Sequence, residues 1–347
     1  MANNSGMTQQ LAVNTIKVGW YLAINSLAER RASRAGAVAN AEVKGPVPTR
    51  DELLAELRQL LVDDARAVRE HVWQGDDASI LRLADHLARL RQMFQDLPDL
   101  VERRNTRTHD TVRDASSRLD GLPDYYVQDF HFQNGGHLSD QSARLYDVQV
   151  ETLFYGSADA MRRAALRPIK QYTSGRDQRG VQLLDVACGT GRFLADVRRT
   201  YPAMPLSGLD LSPAYLDEAR RNLSGLRHVD LLEGAAEAMP LADDSQDIVT
   251  CIYLFHELPP EVRKSVAAEI ARVLRPGGLF IMIDSLQTGD RPDWDGLLEL
   301  FPVRFHEPYY RHYLKDDLAA LFGERGLQLT KTELAFLSKM VVCRFEG

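Results

Sequence analysis

The feature that most constrains the fold is a regular alternation of short apolar runs and helical patterns in the second half of the chain. The apolar runs occupy residues 181–187, 206–209, 247–254 and 279–283. Helical patterns lie between them, at about 191–200, 213–222 and 260–274. This alternation predicts an α/β fold with a mostly parallel, Rossmann-like sheet and helices on both faces. Two further apolar segments, 328–334 and 336–344, have no helix between them and predict an antiparallel final pair.

The first 120 residues follow helical patterns and predict an N-terminal helical domain, either for dimerisation or as a lid over the substrate. Residues 121–347 then form the α/β domain of the predicted fold. Thr49 and Glu52 form a capping box at the start of one of these helices. An earlier stretch spaces its apolar residues three and four positions apart, at Val13, Ile16, Trp20, Ala23 and Leu27. This spacing indicates a short heptad seam, which either packs on its own domain or forms the contact of a homodimer.

Composition narrows the class of partner and the compartment. The net charge of −7 offers no basic face for a nucleic acid. Three widely separated cysteines exclude a disulfide framework and a cysteine-based zinc site, and they suit a reducing compartment. No apolar run reaches the eighteen or so residues of a membrane span, and the N-terminus has no pattern of a secretory signal. We therefore expect a cytoplasmic protein with a small-molecule partner.

A glycine-containing loop, Asp185-Val-Ala-Cys-Gly-Thr-Gly191, follows the first predicted strand and opens a helix. Glycines at this place let a ligand approach the backbone at the carboxyl edge of the sheet. A dinucleotide loop would have a third glycine where Phe193 stands, and it would hold a pyrophosphate at the helix N-terminus. Asp185 would repel a pyrophosphate but suits an ammonium group. The loop therefore favours a nucleoside with an amino-acid tail over a dinucleotide.

Asp210 ends the second predicted strand, twenty-five residues after Asp185. A carboxylate at this position of a Rossmann-like unit accepts hydrogen bonds from ribose hydroxyls. Ser212 and Pro213 follow as the cap and first residue of the next helix. An acid at a strand end is often only a turn residue, but its spacing from the glycine loop favours the ribose role.

Together these motifs resemble the class I S-adenosylmethionine-dependent methyltransferases, in particular the branch named for ubiquinone and menaquinone biosynthesis. The resemblance extends through residues 233–240, 245–249 and 272–278 and covers roughly residues 123–347. It implies that residues 121–347 are the methyltransferase domain, with S-adenosylmethionine as cofactor, S-adenosylhomocysteine as product, and transfer of a methyl group to carbon, oxygen or nitrogen of a small molecule.

The resemblance also implies a set of cofactor-binding residues. For the methionine portion these are Asp185, Ala187, Cys188, Gly189 and Gly191. For the ribose, the adenine and the sulfonium they are Asp210, Leu211, Ala236, Glu237 and Tyr253. Family members commonly have an acid at the position of Ala235, where it accepts a hydrogen bond from the adenine amino group. In this chain that bond must come from the backbone, another residue or water.

Three aromatic and histidine-rich stretches are the candidates for the acceptor pocket. They contain Tyr125-Tyr126 with Phe130-His131, then Phe255-His-Glu-Leu-Pro259, and finally Phe305-His-Glu-Pro-Tyr-Tyr310. They resemble a subgroup of the same family. We expect His256 and His306 to be catalytic, as a general base or as positioning groups. The expected substrate-binding residues are Tyr126, His131, Glu257, Glu307, Tyr309 and Tyr310. Tyr146 would cover the cofactor and Arg162 would pair with its carboxylate, while core packing and helix capping are the alternative roles.

The dipeptides His256-Glu257 and His306-Glu307 would supply four metal ligands if they converged. Prolines follow both, and neither has the second histidine of a His-Glu-x-x-His motif, so we expect no metal. Two other functions compete with an active enzyme. One is a cofactor-binding regulatory or structural subunit without transferase activity, and the other is a dehydrogenase, which the glycine loop opposes.

Overall fold

A seven-stranded sheet forms the centre of the protein, in a computed structural model that describes residues 2–37, 45–75, 83–109, 121–133 and 135–347. The strands are β1 (Leu183–Val186), β2 (Leu206–Asp210), β3 (Asp230–Glu233), β4 (Gln246–Ile252), β5 (Leu274–Ser285), β6 (Leu327–Ala335) and β7 (Ser338–Phe345). Their order across the sheet is β3-β2-β1-β4-β5-β7-β6, and only β7 pairs antiparallel to its neighbours. The predicted α/β class and the antiparallel final pair are therefore confirmed.

Helices precede the sheet and cover both of its faces. Before β1 they are α1 (Ala2–Arg34), α2 (Arg50–Arg69), α3 (Leu83–Thr106), α4 (Asp140–Leu153), α5 (Ala158–Arg163) and α6 (Leu166–Thr173). Within the sheet region they are α7 (Arg192–Thr200), α8 (Pro213–Asn222), α9 (Pro260–Val273), α10 (Asp295–Arg304), α11 (Tyr310–Tyr313) and α12 (Leu318–Gly323). None of the described helices is long and apolar enough to cross a membrane.

Local sequence explains where the key elements begin. All four residues of β1 are buried, as expected for a central parallel strand covered on both faces. Gly191 has φ of +73° at the start of α7, a conformation that costs glycine least. Ser212 caps α8 by accepting from the Tyr215 N–H, and the predicted capping box of Thr49 and Glu52 is present at α2. Helices α4–α6 were not predicted. Strand β3 was not predicted either, because it is an edge strand with little buried surface.

Helix α1 packs on its own chain, mainly through residues outside the predicted heptad seam. Its buried side chains include Asn14, Tyr21 and Ile24, whereas Trp20 is 43% exposed and Ile16 is 69% exposed. Asn14 can be buried although it is polar, because its side chain donates a hydrogen bond to Asp64 Oδ2 at 3.0 Å. The helix therefore packs on its own domain, mainly through other residues, although Trp20 of the seam donates to His86 of α3 at 3.2 Å. The homodimer contact stays a prediction.

The N-terminal helices share a core with the sheet. Trp73, just after α2, belongs to the same buried cluster as Leu183 of β1 and Leu206 of β2. A buried ion pair adds to this contact, because Arg163 of α5 donates to both carboxylate oxygens of Asp64 of α2, at 2.8 and 2.9 Å. The predicted domain boundary at residue 120 lies outside the described residues, so the division into two domains stays a prediction.

Candidate active site

A cleft that is partly open to solvent lies at the carboxyl ends of β1, β2 and β4. This edge is where open α/β sheets bind their ligands. The predicted cofactor residues that line the cleft are Tyr146, Ala187, Gly189, Asp210, Leu211, Ala236, Glu237 and Tyr253. Tyr126 and Glu257, from the predicted acceptor site, line it as well. The sequence motifs therefore meet at one cleft, although the role of each residue stays a prediction.

The loop after β1 holds Asp210 in a fixed position. The Gly189 N–H donates to Asp210 Oδ2 at 2.8 Å, and the Ser212 N–H donates to Asp210 Oδ1 at 2.9 Å. Gly189 has φ of +54° and lets the loop turn close to β2. Burial raises the pKa of Asp210, and the two backbone donors partly oppose that rise. Each carboxylate oxygen keeps a lone pair for a ribose hydroxyl.

Asp185 lies behind the lining of the cleft, at the end of β1, and is 2% exposed. Thr250 of β4 donates its hydroxyl to Asp185 Oδ1 at 2.7 Å. Burial raises the pKa of Asp185 to about 7, against the lowering effects of Thr250 and of the Arg162 charge. A nearby ammonium group would favour the ionised form of Asp185. The methionine tail of the cofactor carries such a group.

Three other predicted cofactor residues do not line the cleft. Cys188 turns its side chain into the core, and its Sγ would lie 2.8 Å from a Cβ placed at Gly208. Gly191 serves as the cap of α7. Arg162 donates to Asp159 Oδ1 at 3.1 Å and lies 5.7 Å from the ring centre of Tyr253. The backbone at Cys188 and Gly191 and the guanidinium of Arg162 stay predictions as cofactor contacts.

Glu237, which is predicted to lie beside the adenine, has a carboxylate oxygen that is free to accept a hydrogen bond. The Tyr125 hydroxyl donates to Glu237 Oε1 at 2.7 Å. Glu237 Oε2 is buried and accepts no hydrogen bond from any described residue. This oxygen lies two positions after Ala235 and can replace the missing acid as partner of the adenine amino group.

Residues 125–133 and 135–138, which we call the covering segment, close one side of the cleft. Tyr126, Phe130 and His137 from this segment contribute to the lining. The segment is attached to α8, because Ser212 donates its hydroxyl to the His137 carbonyl at 2.6 Å. His137 and Tyr215 were missed as site residues. His137 lies among aromatic residues that did not single it out, and no sequence pattern pointed to Tyr215 of α8.

At Glu257, predicted to bind the substrate, the cleft adjoins a cluster of histidines and glutamates. His137 Nε2 lies 3.2 Å from Glu257 Oε2, and His131 Nε2 lies 3.6 Å from Glu257 Oε1. His131 Nε2 also contacts Glu307 Oε1. Burial acts to raise the pKa of Glu257, but the surrounding histidines outweigh it and lower that pKa to about 2. Burial opposes protonation of His137, yet Glu257 raises its pKa.

His256 is held from behind by a buried carboxylate. Its Nδ1 lies 2.5 Å from Asp284 Oδ1, at the end of β5. Burial acts to lower the pKa of His256, but Asp284 outweighs it and raises that pKa to about 10. A histidine in this state is already protonated at neutral pH, which favours the predicted positioning role over that of a general base.

His306 does not face the cluster, in contrast to the predicted catalytic role. Its ring stacks on His109 with centroids 4.2 Å apart, and its Nε2 lies 2.7 Å from Gln128 Oε1. Burial and the neighbouring His109 lower its pKa to about 4. The backbone turns at Glu307, so the two side chains of the dipeptide point to different places. Tyr310 is 1% exposed and packs edge-on against His256, and Tyr309 is half-buried outside the lining.

Comparison with known proteins agrees with this geometry. Residues 183–278 match the family described as methyltransferase domain. The chain is 31% identical to the fatty-acid O-methyltransferase of Mycolicibacterium smegmatis, over 46% of this chain and 62% of that protein. It is 32% identical to a ubiquinone/menaquinone biosynthesis C-methyltransferase of Desulfotalea psychrophila, over 42% of this chain and 56% of that protein.

A third relative is the phthiotriol/phenolphthiotriol dimycocerosates methyltransferase 1 of Mycobacterium ulcerans, at 35% identity over 36% of this chain and 45% of that protein. The chain thus spans about half the length of these three relatives. A solved S-adenosylmethionine-dependent methyltransferase from Aquifex aeolicus aligns with 52% of this chain and 88% of its own, at 19% identity and a TM-score of 0.39.

The strand order, the glycine loop and the family match identify residues 183–278 as part of a class I S-adenosylmethionine-dependent methyltransferase domain. The cofactor of this domain is S-adenosylmethionine. The branch named for ubiquinone and menaquinone biosynthesis is one of several to which the chain is similar.

Proposed function

We propose that the whole chain transfers a methyl group from S-adenosylmethionine to an oxygen or carbon atom of a small molecule held beside the covering segment. The observation that carries this proposal is Asp210, whose carboxylate is fixed by two backbone donors at the edge of the cleft. Glu237 lines the same cleft toward the adenine end, and Asp185 lies behind the lining toward the methionine end. A buried acceptor oxygen on Glu237 with no partner among the described residues supports the fit of this cofactor.

When bound, S-adenosylmethionine supplies a methyl group on a positively charged sulfur. The residues of this chain contribute position and charge. Asp210 orients the ribose, Asp185 attracts the ammonium, and the aromatic rings of Tyr126, Phe130 and Tyr146 exclude water from the cleft. In-line transfer needs an acceptor lone pair about 3–3.5 Å from the methyl carbon, so this positioning supplies much of the rate enhancement.

The acceptor class follows from the far end of the cleft. Glu257 and His137 lie there beside apolar and aromatic groups, an environment that suits an oxygen-bearing acceptor with an apolar body. The names of the relatives include a fatty-acid O-methyltransferase and a C-methyltransferase, which supports the same choice between oxygen and carbon. The competing function, a cofactor-binding subunit without transferase activity, would not need this second, polar end.

The test is calorimetric titration of the full chain with S-adenosylmethionine. Two charge-assisted hydrogen bonds to the ribose are lost in Asp210→Ala, so we expect its affinity to fall by about 100-fold or more. The matched control is Asp217→Ala on α8, where the carboxylate is exposed and pairs only with Arg220 among the described residues. Wild-type protein that binds no S-adenosylmethionine would contradict the proposal.

A second measurement separates the enzyme from the cofactor-binding subunit. The protein is incubated with methyl-labelled cofactor and fractionated small-molecule extracts, and label is followed into the extract. We expect transfer by the wild type and by Asp217→Ala, but none by Asp210→Ala. Binding without transfer to any fraction would favour the subunit.

A further inference from the structure

We propose that His131, Glu257 and Glu307 form a binding site for a divalent first-row transition metal ion at the acceptor end of the cleft. The proposal rests on the proposed methyltransferase function for the role of the ion, but not for its binding. One ligand atom from each of the three residues lies within 4.8 Å of the other two, a spacing that a single ion can bridge.

The hydrogen bonding of Glu307 is the independent sign of a ligand. The residue is 3% exposed, and its Oε2 accepts no hydrogen bond from a described residue. Its Oε1 contacts His131 Nε2, which is likewise buried and lies 3.6 Å from Glu257 Oε1. Buried polar atoms are almost always satisfied, because each one left unpaired costs about 1–3 kcal/mol. A cation between these atoms would satisfy all of them.

Three separate parts of the fold deliver these side chains. His131 comes from the covering segment, Glu257 from the turn after β4, and Glu307 from the turn after α10. His131 has φ of +57°, a conformation that non-glycine residues rarely adopt, and its N–H donates to the His306 carbonyl at 3.3 Å. Strained backbone of this kind persists where the surrounding structure holds it, often at a ligand site.

The ligand types indicate the class of ion. An imidazole nitrogen with two carboxylates suits Mn²⁺, Fe²⁺, Co²⁺ or Zn²⁺ better than Mg²⁺ or Ca²⁺, which prefer oxygen alone. Three protein ligands leave further coordination positions open, as in catalytic sites. His137 Nε2, 3.2 Å from the second oxygen of Glu257, is placed to orient that carboxylate from outside the coordination shell.

The position of the site gives the ion a role in methyl transfer. Glu257 is both a ligand and part of the cleft lining, so an acceptor oxygen on the ion would face the methyl group. Coordination lowers the pKa of a bound hydroxyl, and its proton leaves to solvent. The oxygen lone pair then forms the bond to the methyl carbon, while the sulfur–methyl bond breaks and its electron pair stays on the sulfur of S-adenosylhomocysteine.

Metal binding is tested directly on the full chain, stripped with a chelator and dialysed. Mn²⁺ binding is measured by electron paramagnetic resonance, Zn²⁺ by equilibrium dialysis with elemental analysis, and Co²⁺ by its absorption spectrum. We expect one ion per chain and a loss of affinity above about 100-fold in Glu307→Gln, more than the 10- to 100-fold typical of residues outside the coordination shell. The matched control is His306→Gln, the neighbouring residue, whose side chain faces Gln128.

Titration of the same stripped proteins with S-adenosylmethionine separates this proposal from the proposed function. Unchanged cofactor affinity in Glu307→Gln shows that the variant is folded. If that variant does not bind cofactor, His131→Ala at the half-buried histidine takes its place with the same expected loss of metal. Wild-type protein that binds none of the three ions, or variants that bind them as tightly as wild type, would overturn the metal site even if cofactor binding is normal.

Discussion

The two ends of the cleft satisfy their carboxylates in opposite ways. At the cofactor end, Asp185 and Asp210 accept from Thr250 and from backbone N–H groups, at 2.7–2.9 Å. At the acceptor end, Glu307 Oε2 accepts no hydrogen bond from a described residue, although the residue is almost fully buried. The first end is organised by the chain itself before any ligand arrives. The second leaves a buried carboxylate oxygen of Glu307 without a donor, which a bound cation would satisfy.

This difference predicts how substitutions at the two ends will act on cofactor affinity and on the arrangement of the acceptor site. A preorganised cofactor end spends little binding energy on rearrangement, so substitutions there change cofactor affinity directly. At the acceptor end, the side chains come from turns and from the covering segment, so their arrangement depends on what they hold. The following substitutions test this contrast, beginning with the largest expected effect.

Asp185→Asn removes the buried charge at the cofactor end. We expect cofactor affinity at pH 7.5 to fall by about 10- to 150-fold, the value of a hydrogen bond to a charged group. Because burial raises the pKa of Asp185 from its ordinary 3.8 to about 7, the wild type must lose a proton to bind the ammonium below pH 7. Its affinity should therefore rise as pH increases from 5.5 to 7, about tenfold per unit at the acidic end.

The Asn variant should show no such rise between pH 5.5 and 7. The charged groups that act on Asp185 are Arg162, which favours its ionised form, and Asp210, which opposes it. Above pH 8 the affinity should fall again in both proteins, because the ligand's own α-amino group loses its proton near pH 7.7–8.0. Calorimetry in several buffers measures both the affinity and the protons released. If the affinity of the wild type for S-adenosylmethionine does not change with pH in the acidic range, Asp185 is not the partner of the ammonium group.

Gly136→Ala perturbs the covering segment, which closes the acceptor end. A Cβ at this position would lie 2.2 Å from the Gln128 carbonyl oxygen, and the residue has φ of +50°. We expect the free energy of unfolding to fall by about 1–3 kcal/mol and the segment to become more sensitive to proteases. Urea unfolding and limited proteolysis measure the two effects.

Gly180→Ala is the matched control, since a Cβ there meets no atom within 4 Å and its φ is not positive. It should leave both stability and protease sensitivity within error of wild type. Equal behaviour of the two alanine variants would mean that the covering segment does not depend on its close turn at Gly136.

Glu237→Leu removes the free acceptor oxygen at the adenine end and should have the smallest effect. We expect cofactor affinity to fall by about 2- to 12-fold, the value of one ordinary hydrogen bond. An analogue that lacks the adenine amino group should bind both proteins with the same affinity. Tyr125→Phe is the control, because it breaks only the 2.7 Å bond to Oε1 and leaves Oε2 available. If Glu237→Leu still prefers the amino group as strongly as wild type does, another residue is its partner.

The sequence predicted the parts of the molecule that depend on local pattern. The central strands are apolar runs between helices, and Asp185 and Asp210 end neighbouring strands, so their meeting at one edge follows from sheet geometry. The edge strand β3 escaped prediction because it buries too little to leave an apolar run. The confirmed elements therefore depend on short-range sequence. The class of cofactor could be predicted for the same reason.

The acceptor end could not be predicted in the same way. Sequence adjacency suggested that His306 and Glu307 would act together, but the turn sends the histidine toward His109 and Gln128. His131 joins Glu307 instead, from a position 176 residues earlier in the chain, through a backbone conformation that no local pattern favours. Contacts of this type depend on long-range packing, which a single sequence does not show.

The shared core of helix α2 and the sheet has a practical consequence for anyone who wants a smaller enzyme. A fragment that begins at residue 121 would keep every residue of the cleft, yet it would lose Trp73 from the packing against β1 and β2. It would also take Asp64 away from the buried guanidinium of Arg163. Removal of one partner from a buried ion pair costs about 3–5 kcal/mol, which is a large part of the stability of a typical domain. Shortened versions of this protein should therefore keep α2, even where only the chemistry of the cleft is wanted.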